Sequence, residues 1–330
     1  MGTRYYINVG GGFTRTDRII ELADWARRLD KNIEIQAYDA VQGLQWNGGR
    51  AIFNHRMANT KLTHGVQLYD VTIDNLNEAV RRVKKLNDHG ISFQLTLNNV
   101  LESVDLEDED GNYLLRHLEN DMNSVTVATR ALTWHVKQNY PKFKVMGSIC
   151  FAYGTLEEYI RACEIYDVVV MIPVFAYQPE LLAKLPIEKL SFILNDTCAL
   201  FCQRKDHYRA LSRNSLAGMN TADEQFQVQN IPTCFRHMPN NYRTLLPEGV
   251  DAATCRRVEA IADKQFGTIK DFKTLPGGGA FNISPIARQE LLRLGVNHFK
   301  LQGRELNPAL FERQVVEFLE AFVQEIEPAN

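Results

Sequence analysis

Four cysteines in the second half of the chain carry its clearest chemical signal. Cys198 and Cys202 lie four residues apart in the segment NDTCALFCQRKDH, which begins at Asn195. Cys234 and Cys255 follow in a stretch that is rich in Asn, Pro and Arg. Four thiolates are a ligand set that 4Fe-4S clusters and zinc ions both accept. The spacing leaves iron and zinc open, and it also leaves open that these are small apolar residues packed beneath a loop.

Charged side chains close to these cysteines are candidates for a catalytic site. Arg204 and His207 follow the cysteine pair and could hold an anionic group or tune a bound metal. Asp196 precedes the pair, where it could exchange protons or cap the loop before the next helix. Arg304, near the end of the chain, could bind a carboxylate or phosphate through two parallel hydrogen bonds, or form a salt bridge with Glu305.

The elements that must position these residues alternate between strand and helix along most of the chain. Runs of β-branched or aromatic residues predict eight strands, and segments with helical periodicity lie between them. One long helix is predicted around 113–139, and the cap pairs Thr155/Glu158 and Ser284/Pro285 predict two helix starts. The predicted strands are 4–9, 33–38, 91–98, 143–150, 167–173, 190–195, 268–274 and 297–302.

This order predicts an α/β fold, a (β/α)8 TIM-like barrel that spans 1–330 as one domain, with a doubly wound open sheet as the alternative. The segment 214–266 interrupts the alternation, and we expect it to be an insertion between predicted strands six and seven that carries Cys234 and Cys255. Functional residues of barrels gather at the carboxyl ends of the strands. The polar or reactive residues at these ends are Asn98, Asn99, Cys150, Asn195, Asp196, Lys273, Gln302, Gly303 and Arg304.

Composition narrows the class of protein. The 330 residues are 45% hydrophobic and 10% aromatic, which excludes a disordered chain, a collagen-like repeat and a small disulfide scaffold. The net charge of −3 gives no basic excess that would indicate a nucleic-acid partner, although a local basic groove stays compatible with it. The first residues, MGTRYYINVGGG, contain no apolar signal core, and no apolar stretch approaches 18 residues. We therefore expect a cytoplasmic protein with no membrane span.

Two motifs resemble the collagenase-like peptidase superfamily, the U-type family thirty-two. Residues 195–207 read Asn-Asp-x-Cys-x3-Cys-x-Arg-x2-His after a predicted strand, and residues 295–304 read Gly-Val-x-His-Phe-Lys-Leu-Gln-Gly-Arg. A later cysteine, Cys234, lies between them, and the order of elements agrees along most of the chain. Over 33–50 the likeness is weaker and includes Tyr38.

The resemblance implies a barrel-like fold that carries a 4Fe-4S cluster on four cysteines. The superfamily includes oxygen-independent hydroxylases of ubiquinone biosynthesis and RNA-hydroxylation proteins, several of which take the oxygen atom from a donor such as prephenate. Carried onto this sequence, it places Cys198, Cys202 and Cys234 among the ligands. Cys255 is our choice for the fourth ligand, with Cys150 and His207 as alternatives.

The leading hypothesis is an iron–sulfur barrel enzyme that hydroxylates a small molecule or a nucleobase without dioxygen. Arg304 and Arg204 would orient an anionic group, and Asp196 or His207 would handle protons. The sequence contains no HExxH motif, so peptidase activity is not predicted. Two other classes compete with the enzyme. One is a non-catalytic, metal-stabilised subunit of a heteromeric complex, and the other is a metal-free barrel hydrolase.

Overall fold

The structure of the protein, a computed structural model, consists of strands and helices that alternate along the chain. The structure describes residues 3–41, 44–47, 75–195, 208–209, 212, 283–302 and 308–326. The strands are β1 (Tyr5–Gly10), β2 (Ile33–Asp39), β3 (Phe93–Leu97), β4 (Ser124–Val127), β5 (Lys144–Gly147), β6 (Val168–Met171), β7 (Leu190–Ile193) and β8 (His298–Leu301). The α-helices are α1 (Thr16–Leu29), α2 (Leu76–Asp88), α3 (Glu109–Leu118), α4 (Arg130–Asn139), α5 (Leu156–Ile165), α6 (Pro179–Leu182), α7 (Pro285–Leu294) and α8 (Pro308–Ile326).

The eight strands form a closed barrel in which every neighbouring pair is parallel. Each strand pairs with the next strand in the chain, and β8 returns to pair with β1. Helices follow the strands because parallel neighbours need a crossover connection. The prediction of a (β/α)8 barrel is therefore confirmed.

Local capping signals set several helix starts as the sequence predicts. The Thr155 hydroxyl accepts from the Glu158 N–H at 3.2 Å, and the Glu158 carboxylate accepts in return from the Thr155 N–H at 3.1 Å. The Ser284 hydroxyl accepts from the Ala287 N–H at 3.2 Å, with a proline at the first helical position. These side chains satisfy helix N–H groups that have no partner within the helix.

The predicted long helix over 113–139 is wrong, because this segment contains a barrel strand. Asn120 ends the first helical part, and its side chain accepts from the N–H groups of Met122 and Asn123, both at 2.9 Å. The Asn123 side chain then accepts from the Phe93 N–H of the neighbouring strand at 2.9 Å. The four residues of β4 are too few to show a period of two, although the Asn and Asp residues at 120–123 are a turn signal.

The order of the predicted strands needs a second correction. The predicted strand over 268–274 lies outside the described residues, and the barrel closes without it because β7 pairs directly with β8. The strand that the sequence did not predict is β4. The predicted strands four to six, from 143–150 to 190–195, are therefore strands five to seven of the barrel. The predicted insertion 214–266 also lies outside the described residues, and in the chain it falls between β7 and β8. Among the described residues, no helix is long and apolar enough to cross a bilayer.

The helix layer packs so closely that one of its positions has room only for glycine. Gly111 in α3 lies against the indole ring of Trp46, which a β-carbon at this position would overlap. Trp46 is completely buried, and its Nε1 donates to the Asp105 carbonyl oxygen at 2.8 Å. The indole ring therefore has little freedom to move away.

We predict that Gly111→Ala destabilises the protein, because the added methyl group forces Trp46 or α3 out of position. The free energy of unfolding should fall by about 1–3 kcal/mol, measured by chemical denaturation. Arg116→Ala, on an exposed position of the same helix, is the control and should change stability by less than about 0.5 kcal/mol. Equal stabilities of the two variants would contradict the packing argument.

Candidate functional site

The barrel strands alternate apolar residues that face the helices with mostly polar residues that face the barrel interior. On β3 and β4, Leu95 and Val125 belong to the buried apolar core, whereas their neighbours Thr96 and Thr126 face inward. Contacts across the barrel confirm this orientation, because the side chain of Lys300 on β8 reaches Gln94 on β3. Barrel interiors are usually filled by branched apolar side chains, so this polar lining is unusual.

The strand registers arrange the inward side chains in levels of four, each level drawn from alternate strands. One level consists of Asn8, Gln94, Met146 and Ser191. The next level toward the carboxyl ends of the strands consists of Tyr38, Thr126, Val170 and Lys300. Lys300 is the charged residue of these two levels, so it gives this part of the interior a positive charge.

Neighbouring side chains hold the Lys300 ammonium in place. Its Nζ lies 3.4 Å from the Oε1 of Gln94 and 3.7 Å from the centre of the Tyr38 ring. The Tyr38 hydroxyl donates to the carbonyl oxygen of Leu301 at 3.0 Å, which fixes the ring beside the strand that carries Lys300. A cation over an aromatic face is attracted by the ring quadrupole. The result is an oriented cation near the carboxyl end of the barrel, where barrel enzymes place their chemistry.

The polar residues predicted at the rim do lie at the carboxyl ends of the strands, but several of them have structural roles. The Asn195 amide donates to the Gln302 carbonyl oxygen at 2.8 Å and accepts from the Gln302 N–H at 2.6 Å, which extends the β7–β8 ladder. Asn99 accepts from the Leu101 N–H at 2.9 Å and so forms a turn. These amides therefore shape the rim.

Ser148 and Asn98 form a second polar contact on this rim. The Ser148 hydroxyl donates to the Asn98 Oδ1 at 2.9 Å and accepts from the Cys150 N–H at 3.1 Å. Cys150 is buried beneath this turn, and Cys163 is buried in α5. Burial raises the pKa of the Cys163 thiol to about 11, so this thiol stays protonated at neutral pH and packs as a core residue.

The residues that the sequence places in a metal and catalytic site lie outside the described residues. They are Asp196, Cys198, Cys202, Arg204, His207, Cys234, Cys255, Lys273, Gly303 and Arg304. Two described residues relate them to the barrel, because Asn195 is the first residue of the cysteine segment and Gln302 directly precedes the Gly-Arg pair. Within the described part of the chain, no group of three or more His, Cys, Asp or Glu residues could hold a metal ion.

Sequence reasoning missed Lys300, although its signal is present in the motif HFKLQ. Polar residues at 298, 300 and 302 alternate with apolar residues at 299 and 301, which places a lysine on the inner face of a barrel strand. His298 lies on the same face, nearer the amino end, where it stacks on Tyr6 with ring centres 4.7 Å apart. Burial, aided by the charge of Lys144, lowers the pKa of His298 to about 4.

We predict that His298 makes the protein less stable in mild acid. Between pH values of about 6.5 and 4 the unfolded chain binds a proton that the folded His298 excludes, so stability falls as pH falls through this window. The loss attributable to His298 is up to about 3 kcal/mol. Urea unfolding at several pH values should therefore show a flatter pH dependence for His298→Phe, which keeps a ring against Tyr6, and parallel curves would contradict the prediction.

Comparisons with known proteins find a distant likeness to a solved structure. No family model matches the chain, and no curated protein matches it. Among solved structures, the chain is similar to one entitled "The Structure of the U32 Peptidase Mk0906", at 16% sequence identity and a TM-score of 0.43. The match covers 67% of this chain and 80% of the other. The family in that title is the one that the cysteine and Gly-Arg motifs resemble.

Proposed function

We propose that this protein is a barrel enzyme that binds an anionic small molecule at the carboxyl end of its barrel and recognises the anion through Lys300. The position of Lys300 carries this proposal. Its ammonium lies inside the barrel, within 3.4 Å of the Gln94 amide oxygen and 3.7 Å from the centre of the Tyr38 ring. A held cation needs no reorganisation when an anion arrives, which strengthens binding.

The energetic cost of this lysine argues against a purely structural role. Moving an ammonium out of bulk water costs several kcal/mol. A methionine would occupy similar space on β8 without this penalty. The barrel therefore retains a charge that packing does not require, which is typical of a binding or catalytic group.

We also propose that Cys198, Cys202, Cys234 and Cys255 hold a 4Fe-4S cluster, with zinc as the alternative metal. Support comes from the motif resemblance and from chain order, since the cysteine segment begins at Asn195, at the carboxyl end of the barrel. Cys163 is not a suitable substitute ligand, because it is buried in α5 with a raised pKa. When bound, such a cluster supplies one-electron chemistry.

The reaction that the resemblance implies is hydroxylation of a small molecule or nucleobase without dioxygen. In this proposal, Lys300 binds the anionic group of a substrate or oxygen donor. Arg204 and Arg304 are proposed as additional anion-binding groups, and Asp196 and His207 as groups that exchange protons. The alternative proposal is that the chain is a non-catalytic, metal-stabilised subunit of a heteromeric complex with a protein partner.

We predict that Lys300→Met weakens anion recognition and leaves the protein folded. Prephenate and a panel of simple carboxylates should be titrated by calorimetry into the parent and the variant. Loss of a charged hydrogen bond should weaken binding by roughly tenfold to a hundredfold. Lys144→Met is the matched control, because Lys144 is an exposed lysine at the amino end of β5. Equal affinities of parent and Lys300→Met would contradict the proposed role.

The cluster is tested by metal content after anaerobic purification. We expect about four irons and matching sulfide per chain, with a broad absorption band in the visible spectrum. Cys198→Ser and Cys234→Ser should lose both the iron and the band. Cys163→Ala is the control and should retain them, because its thiol belongs to the core of α5. A folded parent protein without iron or zinc would contradict a metal site on these cysteines.

A further inference from the structure

A cleft on the outside of the barrel, between α1, α2 and α8, has a volume of about 470 Å³. Clefts that bind small molecules usually have volumes of about 300–1,000 Å³. The first turns of α1 and α8 line this cleft, and helices of a barrel begin at the carboxyl ends of its strands. Half of the lining residues are basic, namely Arg15, Arg18, Arg81, Arg82 and Lys85. The chain as a whole has only 37 basic residues among 330, so positive charge is concentrated here.

Ion pairs between the helices hold the walls of this cleft together. The Lys85 Nζ on α2 lies 2.6 Å from the Asp17 Oδ1 on α1. Arg18 on α1 pairs with Glu312 on α8. The Arg82 side chain on α2 also donates to the Phe13 carbonyl oxygen, which precedes α1. Because these contacts join three helices, the cationic side chains are positioned before a ligand arrives.

The α2 wall of the cleft has more positive than negative charge. Arg81 donates to Glu78 from Nε at 2.7 Å and from Nη2 at 2.6 Å, and Arg82 donates to the same carboxylate from Nε at 2.6 Å. Among the described residues, the Nη1 of Arg81 and the Nη2 of Arg82 have no hydrogen-bond partner. With the Lys85–Asp17 pair, this wall has three cations and two carboxylates. It therefore offers guanidinium N–H groups and one unbalanced positive charge.

The first turn of α1 adds backbone donors to the same cleft. Arg15, at the N-cap position, makes no side-chain hydrogen bond to this turn. The first N–H groups of a helix have no partner within the helix, and the helix dipole favours negative charge there. Guanidinium groups beside a helix N-terminus form a donor set that suits phosphate. Asp17 and Glu312 on the lining are acceptors, so they suit hydroxyl groups of a ligand.

We propose that this cleft is a second ligand site, which binds the phosphate monoester of a small polar molecule. The phosphate accepts hydrogen bonds from Arg81, Arg82 and the first turn of α1. Asp17 and Glu312 accept from hydroxyl groups on the organic part of the ligand. The site shares no residue with the interior around Lys300, so it goes beyond the function proposed above.

The test titrates inorganic phosphate and glycerol phosphate into the protein by calorimetry at constant ionic strength. We expect saturable binding at one site per chain, with glycerol phosphate the tighter ligand because its hydroxyls reach the acidic residues. Arg81→Ala should weaken both by about fivefold, and Arg81→Lys, which keeps the charge, should weaken them less. Lys84→Ala is the matched control, because it removes the same charge from an exposed position of α2 that does not line the cleft. It should bind as the parent does.

A variant with the opposite expected effect separates a ligand site from a network of ion pairs that only stabilises the helices. The Glu78 carboxylate competes with phosphate for Arg81 and Arg82. Glu78→Gln should therefore strengthen phosphate binding by about fivefold. A purely structural network predicts no such gain. Equal affinities of the parent, Arg81→Ala and Glu78→Gln would overturn the proposal.

Lys300→Met distinguishes failure of this site from failure of the function proposed above. It should bind phosphate as the parent does, because Lys300 does not line the cleft. If Lys300→Met loses phosphate binding while Arg81→Ala retains it, phosphate binds inside the barrel. The cleft is then overturned and the Lys300 site stands. If a short single-stranded oligonucleotide binds more tightly than glycerol phosphate, the surface recognises nucleic acid and the small-molecule site is overturned.

Discussion

The pairing of β8 with both β7 and β1 closes the barrel, and the candidate site depends on its register. Ser191 pairs with His298 on one side, and Tyr6 pairs with the same residue on the other. In this register Phe299 and Leu301 face the helices, whereas Lys300 faces the interior. A slip of one residue would reverse every side chain of β8 and carry the ammonium out of the barrel. The Tyr38–Leu301 hydrogen bond and the Asn195–Gln302 pair hold this register at the carboxyl end.

Apolar packing and most of the polar side chains are divided between the two faces of the same strands. The outer face is apolar and packs against the helices, and Phe299, for example, meets Phe322 of α8 with ring centres 5.4 Å apart. The inner face contains buried hydroxyls, amides and a lysine, which contribute little net stability and some of which cost free energy. Because the apolar packing of strands against helices stabilises the barrel, the barrel tolerates a polar interior. Such an arrangement is typical of functional sites, where residues are kept for function although they lower stability.

Particular segments show which parts of the fold the sequence predicts correctly. Seven of the barrel strands, the α5 capping box and the Ser284–Pro285 helix start follow from local patterns, because β-branched runs and cap residues act within a few positions of the chain. β4 was predicted as part of a helix, because its four residues are too few to show the two-residue alternation of a strand. The cysteine ligand set and its charged neighbours stay predictions, because they lie beyond the described residues.

The sequence by itself therefore determined the class of fold, most of the elements and a cysteine-based hypothesis for chemistry. Only the tertiary structure decided which polar residues meet. Lys300, Gln94 and Tyr38 lie far apart in the chain. Local alternation indicates on which face of its own strand Lys300 lies, but not that β8, β3 and β2 bring these three side chains together. Closure and register are collective properties of eight strands, so the site they create cannot be inferred from any single segment.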